Sequence, residues 1–284
     1  MDKSRDEFMC HVQLNCRRLA ILTALAFSAE FAKAQVSTPV KPADASPGAT
    51  ARETAKQAVI VSAAASTKDV IEALDKQFST KSGTDVKVNA GPSNGLAQQI
   101  LAGAPADLFL SANEQWADEV KKGGQAADSA RLLTNQLVIV VPKNNPGGVH
   151  EPKDLLSPKV KKIALAGEKV PAGIYAGQAL TKLDLLKELT DADKIVRGQD
   201  VRNTLSFVER GEVEAGIVYS TNVRAASGVK TAYEFDPSLH DEIVYVLVLL
   251  KHGSDNSAAR DLYKFLQSPQ ADDTYKQFGF TRLH

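Results

Sequence analysis

Cysteine is almost missing from this chain: two occur in 284 residues, Cys10 and Cys16. Downstream of them there is no means of building a disulfide framework, a thiolate metal site or a cysteine nucleophile. Net charge is missing too, since 34 basic side chains face 34 acidic ones. Without a global field, nothing of long range holds the chain on nucleic acid or an anionic membrane, so partners must be recognised locally. No Walker loop and no G-x-G-x-x-G occurs, which removes the usual nucleotide cradles. The histidines, His11, His150, His240, His252 and His284, show no ligand spacing, so neither a cation site nor a cofactor is expected. What is present is an ordinary globular composition, 43% hydrophobic and 24% charged, which excludes a disordered chain. The length gives room for about two domains.

Long apolar runs are also scarce. The first follows Arg17-Arg18 and extends from Leu19 to Ala29; at about eleven residues it is too short to span a bilayer as a helix. Ala32-Lys33-Ala34 then supplies a small-x-small cleavage pattern. Residues 1–34 are therefore read as a secretory signal peptide cut before Gln35, with Met9 an alternative start that gives a more usual leader length. No cysteine follows the run, so no lipid anchor is expected. Residues 35–57 are rich in Pro, Ala, Ser and Thr without an apolar period, and read as a disordered linker.

From Ala58 the pattern alternates. Val59-Ile60-Val61, Asp85 to Val88 and Asp107 to Leu110 read as strands, separated by amphipathic helices over Thr67 to Phe78 and Asn94 to Ala102. Asn113 caps a further helix to Val120. This β-α-β-α-β order implies an α/β fold with a parallel sheet. Leu137 to Pro142 is the next strand, followed by strands at Ile163 to Leu165 and Gly216 to Tyr219, and helices at Ile174 to Leu183 and Val201 to Arg210. A long strand, Ile243 to Leu249, and two helices, Ala258 to Leu266 and Gln270 to Phe278, end the chain. The reading is two lobes crossed twice: residues 58–138 as the first part of lobe 1, 139–240 as lobe 2 and 241–284 as the return of lobe 1. Hinges are expected near Leu137 to Pro142 and near His240 to Ile243.

Ligands in such folds lie outside the carboxyl ends of the strands. There the loops carry small and hydroxyl residues: Ala63-Ala64-Ala65-Ser66 with Asp69 in a capping-box-like spacing, Gly91-Pro92-Ser93-Asn94-Gly95, Pro171-Ala172-Gly173 and Asp200-Val201-Arg202. Ser66 is expected to cap its helix. Helix N-termini converging on one crevice present unpaired N–H groups to an anion. Lys68 and Arg202 are expected to point down their helices, leaving dipoles and hydroxyls to hold the anion. Phosphate enzymes normally add Lys or Arg against developing charge, so binding without chemistry is favoured. Asp191-Ala192-Asp193 and Asp272-Asp273 read as helix starts and solvated surface.

A different class competes at Ser93, because Gly91-Pro92-Ser93-Asn94-Gly95 is a literal G-x-S-x-G between strand and helix, the context of a hydrolase nucleophile. His240 or His252 would then be the base and Asp200 or Asp241 its orienting acid. Against this, Ser93 follows only the second strand of a small lobe, whereas such nucleophiles sit deep in a larger sheet.

Several longer motifs stand in a telling order: Ala63-Ala64-Ala65-Ser66, Leu96-Ala97-Gln98-Gln99-Ile100, Ala102-Gly103-Ala104-Pro105-Ala106-Asp107-Leu108-Phe109, Val170-Pro171-Ala172-Gly173-Ile174-Tyr175-Ala176, Asp200-Val201-Arg202, Gly216-Ile217-Val218-Tyr219 and Tyr275-Lys276-Gln277-Phe278-Gly279-Phe280. From about Val59 to Thr281 the chain resembles the periplasmic molybdate-binding proteins of ABC importers, within the type II solute-binding fold. The resemblance implies a two-lobed α/β receptor with its cleft between the lobes, acting as a periplasmic monomer that delivers molybdate or tungstate to a membrane permease. It implies an oxyanion held by the hydroxyls and N–H groups of Ser66 and Ser93, the N–H groups of Ala172 and Val201, and the Tyr219 hydroxyl, with no direct cation ligand and no catalytic residue. Another oxyanion or a small organic anion is the neighbouring alternative. Neutral donors select by protonation state and size, so sulfate is rejected while molybdate and tungstate, nearly equal in size, are not separated. Thr67, Pro92 and Asn94 depart from the family pattern, and Pro92 has no N–H to offer.

Overall fold

Residues 58–283 are described by a computed structural model of the chain, so the signal-peptide and linker readings lie outside the described residues. In chain order the elements are β1 (Val59–Ala64), α1 (Lys68–Ser82), β2 (Val86–Gly91), α2 (Ser93–Leu101), β3 (Leu108–Ser111), α3 (Glu114–Lys122), β4 (Ala126–Thr134), β5 (Leu137–Pro142), β6 (Ile163–Ala166), α4 (Pro171–Lys182) and α5 (Leu185–Asp191). They continue with β7 (Ile195–Gly198), α6 (Val201–Glu209), β8 (Ala215–Tyr219), α7 (Ser220–Arg224), β9 (Val229–Glu234), β10 (Val244–Leu250), α8 (Lys251–Ser254), α9 (Ser257–Leu266), α10 (Pro269–Gln277) and β11 (Thr281–Arg282).

The strands form two sheets, ordered β11-β4-β10-β3-β1-β2 and β7-β6-β8-β5-β9. In the first, β1 runs parallel to β2 and β3, and in the second β6 runs parallel to β7 and β8. Neither sheet is wholly parallel: β10 is antiparallel to β3 and β4, and β5 to β8 and β9. The strands that arrive by a crossing between lobes thus enter against the grain of each sheet.

Burial explains why the pattern was readable. In β10 the side chains of Val244, Val246, Val248 and Leu250 pack with Leu96, Ile100, Phe109 and Val120 on one face. Tyr245, Leu247 and Leu249 enter the larger core with Val61 and Leu74 on the other. A strand covered on both faces reads as an unbroken apolar run. In α1, Val70, Ile71, Leu74 and Phe78 form the buried face, and Gly83 at φ 66° ends the helix.

The first passage between sheets falls earlier than expected, and the return falls where it is expected. The chain leaves the first sheet at Thr134 and enters the second at Leu137, so Asn135-Gln136 is the first passage, and Leu137 to Pro142 is no hinge because it is hydrogen-bonded to β8 and β9. The return occupies residues 235–243, between β9 and β10. The elements β4, β7, β9, α5, α7 and α8 were not anticipated, since they are short or mostly polar. Asp191 closes α5 instead of opening a helix, and Asp193 takes a positive φ of 51° after it.

Candidate anion-binding site

Every parallel strand of both sheets points its carboxyl end at one place. β1 runs into a short 3₁₀ turn, Ala65–Thr67, before α1; β2 leads through Pro92 into α2; β3 ends beside Ala112. From the second sheet come the starts of α4 and α6, and Tyr219 at the end of β8. Together these loops line a small cavity containing Ser66, Ser93, Ala172, Val201 and Tyr219, all five of the residues expected there. The cavity volume is about 10 Å³, room for one small guest. A drug-sized organic ligand, which needs hundreds of Å³, does not fit this arrangement.

The donors are set by backbone position. Ala172 and Val201 lie in the first turns of α4 and α6, where an N–H has no helical carbonyl behind it. Gly173 allows α4 to start so close to β6: a Cβ there would stand 2.1 Å from the Gly167 carbonyl oxygen and 2.5 Å from that of Ala166. Ser93 is the first residue of α2, and its Oγ accepts the Ala112 N–H at 3.0 Å, which leaves its hydrogen available to the cavity. Ser66 Oγ lies 2.9 Å from the Tyr245 hydroxyl. Tyr219 is 1% exposed, and its hydroxyl has no hydrogen-bond partner. A buried hydroxyl without a partner costs about 1–3 kcal/mol, and Tyr219 stands on the cavity wall.

Electrostatically the cavity has donors but no cation: among the described residues no Lys, Arg or His lines it. Lys68 pairs with Glu72 at 2.8 Å, as expected for a side chain lying along its helix. Arg202 does not lie along its helix; it reaches across to the Asp69 carboxylate, because α1 and α6 start at the same crevice from opposite lobes. Trp116 Nε1 makes a second link across it, donating to the Lys169 carbonyl at 3.0 Å. Asp200 is the acidic wall residue, and its carboxylate is turned onto the Asn203 N–H at 2.8 Å. Burial first, and then the neighbouring phenols of Tyr245 and Tyr175, push the Tyr219 hydroxyl well above its ordinary pKa. It therefore remains a neutral donor.

A further expectation is corrected. Ser66 is no N-cap: the 3₁₀ turn begins at Ala65, which puts Ser66 inside it, and neither it nor Thr67 caps α1 with a side chain. Asp69, freed from the capping box, pairs with Arg202 instead. Thr67 turns its hydroxyl onto the Ala64 carbonyl at 2.8 Å, so its departure from the family pattern stays off the cavity. The hydrolase geometry is not assembled either. His240 Nδ1 contacts the Asp241 carbonyl at 2.7 Å and His252 Nδ1 the Asp107 carboxylate at 3.1 Å; neither ring lines the cavity, so Ser93 has no base.

Tyr245 and Asn135 escaped the sequence reading. Tyr245 contacts Ser66, and the rings of Tyr175, Tyr219, Tyr245 and Phe280 meet edge-on in series at 6.5, 6.0 and 5.5 Å. The one signal was a polar tip inside the apolar run of β10.

Residues 59–281 match the family described as bacterial extracellular solute-binding protein. The chain is 37% identical over 233 residues to the molybdate-binding protein ModA of Escherichia coli strain K12, across 78% of this chain and 88% of that protein. The periplasmic molybdate-binding protein of Azotobacter vinelandii superposes with a TM-score of 0.72 at 24% identity, over 80% of this chain and 100% of that one. The sulfate-binding protein SubI of Mycobacterium tuberculosis H37Rv gives a TM-score of 0.68 at 18% identity, over 80% of this chain and 87% of that one. At these two identities the structures speak for a shared two-lobed fold.

Proposed function

The chain belongs to the bacterial extracellular solute-binding proteins, and from that premise we propose that it captures molybdate between its lobes and delivers it to the membrane permease of an ABC importer. It is a binding protein and performs no chemistry. Ser66, Ser93, Ala172, Val201 and Tyr219 hold the anion, and tungstate, of the same charge and shape, enters on the same donors. The protein works as a periplasmic monomer, exported by residues 1–34 as a cleaved signal peptide.

The observation that carries this reading is the Tyr219 hydroxyl, buried without a partner on the wall of a cavity that holds no cation. A dianion supplies what that hydroxyl and the first-turn N–H groups lack, and hydrogen bonds to charge are worth about 1.5–3 kcal/mol each. The ligand identity draws on the 37% identity to ModA over most of the chain.

Because donors come from both lobes, bound anion stabilises only the arrangement in which the two sets face each other. Saturating molybdate should therefore shrink the radius of gyration in solution scattering and raise the melting temperature by mass action. A protein whose scattering and melting both ignore molybdate does not have this function.

A further inference from the structure

A serine donates to an anion reliably only when its oxygen is already occupied as an acceptor from elsewhere, because the hydroxyl has one hydrogen to give. For Ser66 the contact with Tyr245 is ambiguous by itself: at 2.9 Å either oxygen is able to donate. Asn135, in the first passage between the sheets, resolves it. Its Oδ1 takes the Gln136 backbone N–H at 2.9 Å and the Ser220 hydroxyl at 3.2 Å. A backbone N–H only donates, so that end of the amide is the oxygen and the other end is the NH₂ group. The NH₂ group donates to Thr221 Oγ1 at 2.9 Å and to the Tyr245 hydroxyl at 3.2 Å. Tyr245 Oη accepts from Asn135, and among its contacts Ser66 Oγ alone is left to take its own hydrogen, which leaves the Ser66 hydrogen for the cavity.

We propose that Asn135 and Tyr245 are positioning residues that lock Ser66 as a donor toward the bound oxyanion without touching it, an inference that rests on the anion-binding reading of the cavity. Ser93 is locked in the same sense by a simpler device, the Ala112 N–H, which has no alternative orientation. Burial raises the pKa of the Tyr245 phenol, so its hydrogen stays in place through neutral pH. The consequence is selectivity. A freely turning hydroxyl accepts the O–H of a protonated oxyanion as readily as it donates to an ionised one, whereas a locked donor meets that O–H with its own hydrogen. Asn135 also ties this lock to the lobes' arrangement, since Ser220 and Thr221 follow a strand of the second sheet and Tyr245 lies in the first.

The test is a double-mutant cycle read by calorimetric titration with molybdate and with inorganic phosphate. Ser66→Ala should weaken molybdate binding about tenfold or more, the loss of a bond to a charged partner. Tyr245→Phe, which keeps the ring, should weaken it several-fold in the parent and less than about twofold in the Ser66→Ala background, as expected for residues acting as one unit. It should also narrow the preference for molybdate over hydrogen phosphate, which a purely structural ring would leave alone. Asn135→Ala in the same cycle should show the same dependence on Ser66, and replaces Tyr245→Phe if that variant does not fold. Additive losses in both cycles, or unchanged molybdate affinity and preference, overturn the lock while leaving Ser66 in the site. If Ser66→Ala and Ser93→Ala both bind molybdate like the parent, the site itself is wrong and the lock falls with it.

Discussion

Replacing Tyr219 with phenylalanine separates a binding hydroxyl from a packing tyrosine, because the two roles give opposite signs. The ring sits 6.5 Å from that of Tyr175 and 6.0 Å from that of Tyr245, both edge-on, and phenylalanine keeps both contacts. What is lost is one hydroxyl that has no hydrogen-bond partner within the protein. In the ligand-free protein that loss removes a desolvated group, so stability should stay level or rise by up to about 1 kcal/mol, seen as an unchanged melting point or a gain of about 2–4 °C for a chain of this size. With molybdate the variant lacks one charge-assisted bond, a deficit of about 1.5–3 kcal/mol. That corresponds to a Kd raised roughly 10- to 150-fold. Calorimetric titration gives the second quantity and differential scanning of the ligand-free protein the first. A variant that melts lower when empty and binds molybdate as tightly as the parent would refute the assignment, since that pair of results belongs to a hydroxyl with a structural partner.

Gly173→Ala forces a Cβ against the Gly167 and Ala166 carbonyls; it should destabilise the protein by about 1–3 kcal/mol and weaken molybdate binding. Gly177→Ala in the same helix meets nothing within 4 Å and is the matched control in both assays. Removing the bridge between lobes with Arg202→Gln should barely change stability, since both partners are over a third exposed and such pairs contribute at most about 1 kcal/mol. Small-angle scattering of the empty protein should nonetheless show a larger radius of gyration, and an unchanged radius would mean the bridge does not hold the lobes. Burial raises the pKa of Tyr175, Tyr219 and Tyr245, so the stability these phenols contribute is complete below the ordinary tyrosine value and lost as pH rises above it. The melting temperature should therefore fall on alkaline titration beyond about pH 10, and fall less steeply in Tyr219→Phe.

The cavity lining was legible because it is dictated locally. A small or hydroxyl residue at the start of a helix after a strand is a sequence feature, and Ser93, Ala172 and Val201 all stand at such starts. Strands such as β10, apolar on both faces, were equally plain. What the sequence hides is pairing across distance. Asp69 and Arg202 are 133 residues apart, so the local spacing around Asp69 suggested a cap that the bridge supersedes. Tyr245 stands 179 residues from Ser66 and reads as one more core aromatic until the fold brings the two hydroxyls together. β4 was missed for another reason. Much of Ala126–Thr134 is only partly buried, and such a strand takes its identity from the partners β10 and β11 rather than from its own residues.

The most direct measurement is a calorimetric titration of the chain from Gln35 onward against molybdate, tungstate, sulfate and phosphate at neutral pH. A cavity whose donors are neutral and that has room for one small guest is expected to bind molybdate and tungstate tightly and alike. Sulfate should bind far more weakly, being too small to reach every donor, and phosphate should be rejected because its remaining proton opposes them. Tight binding of phosphate, or no heat with molybdate, would contradict the account at its centre.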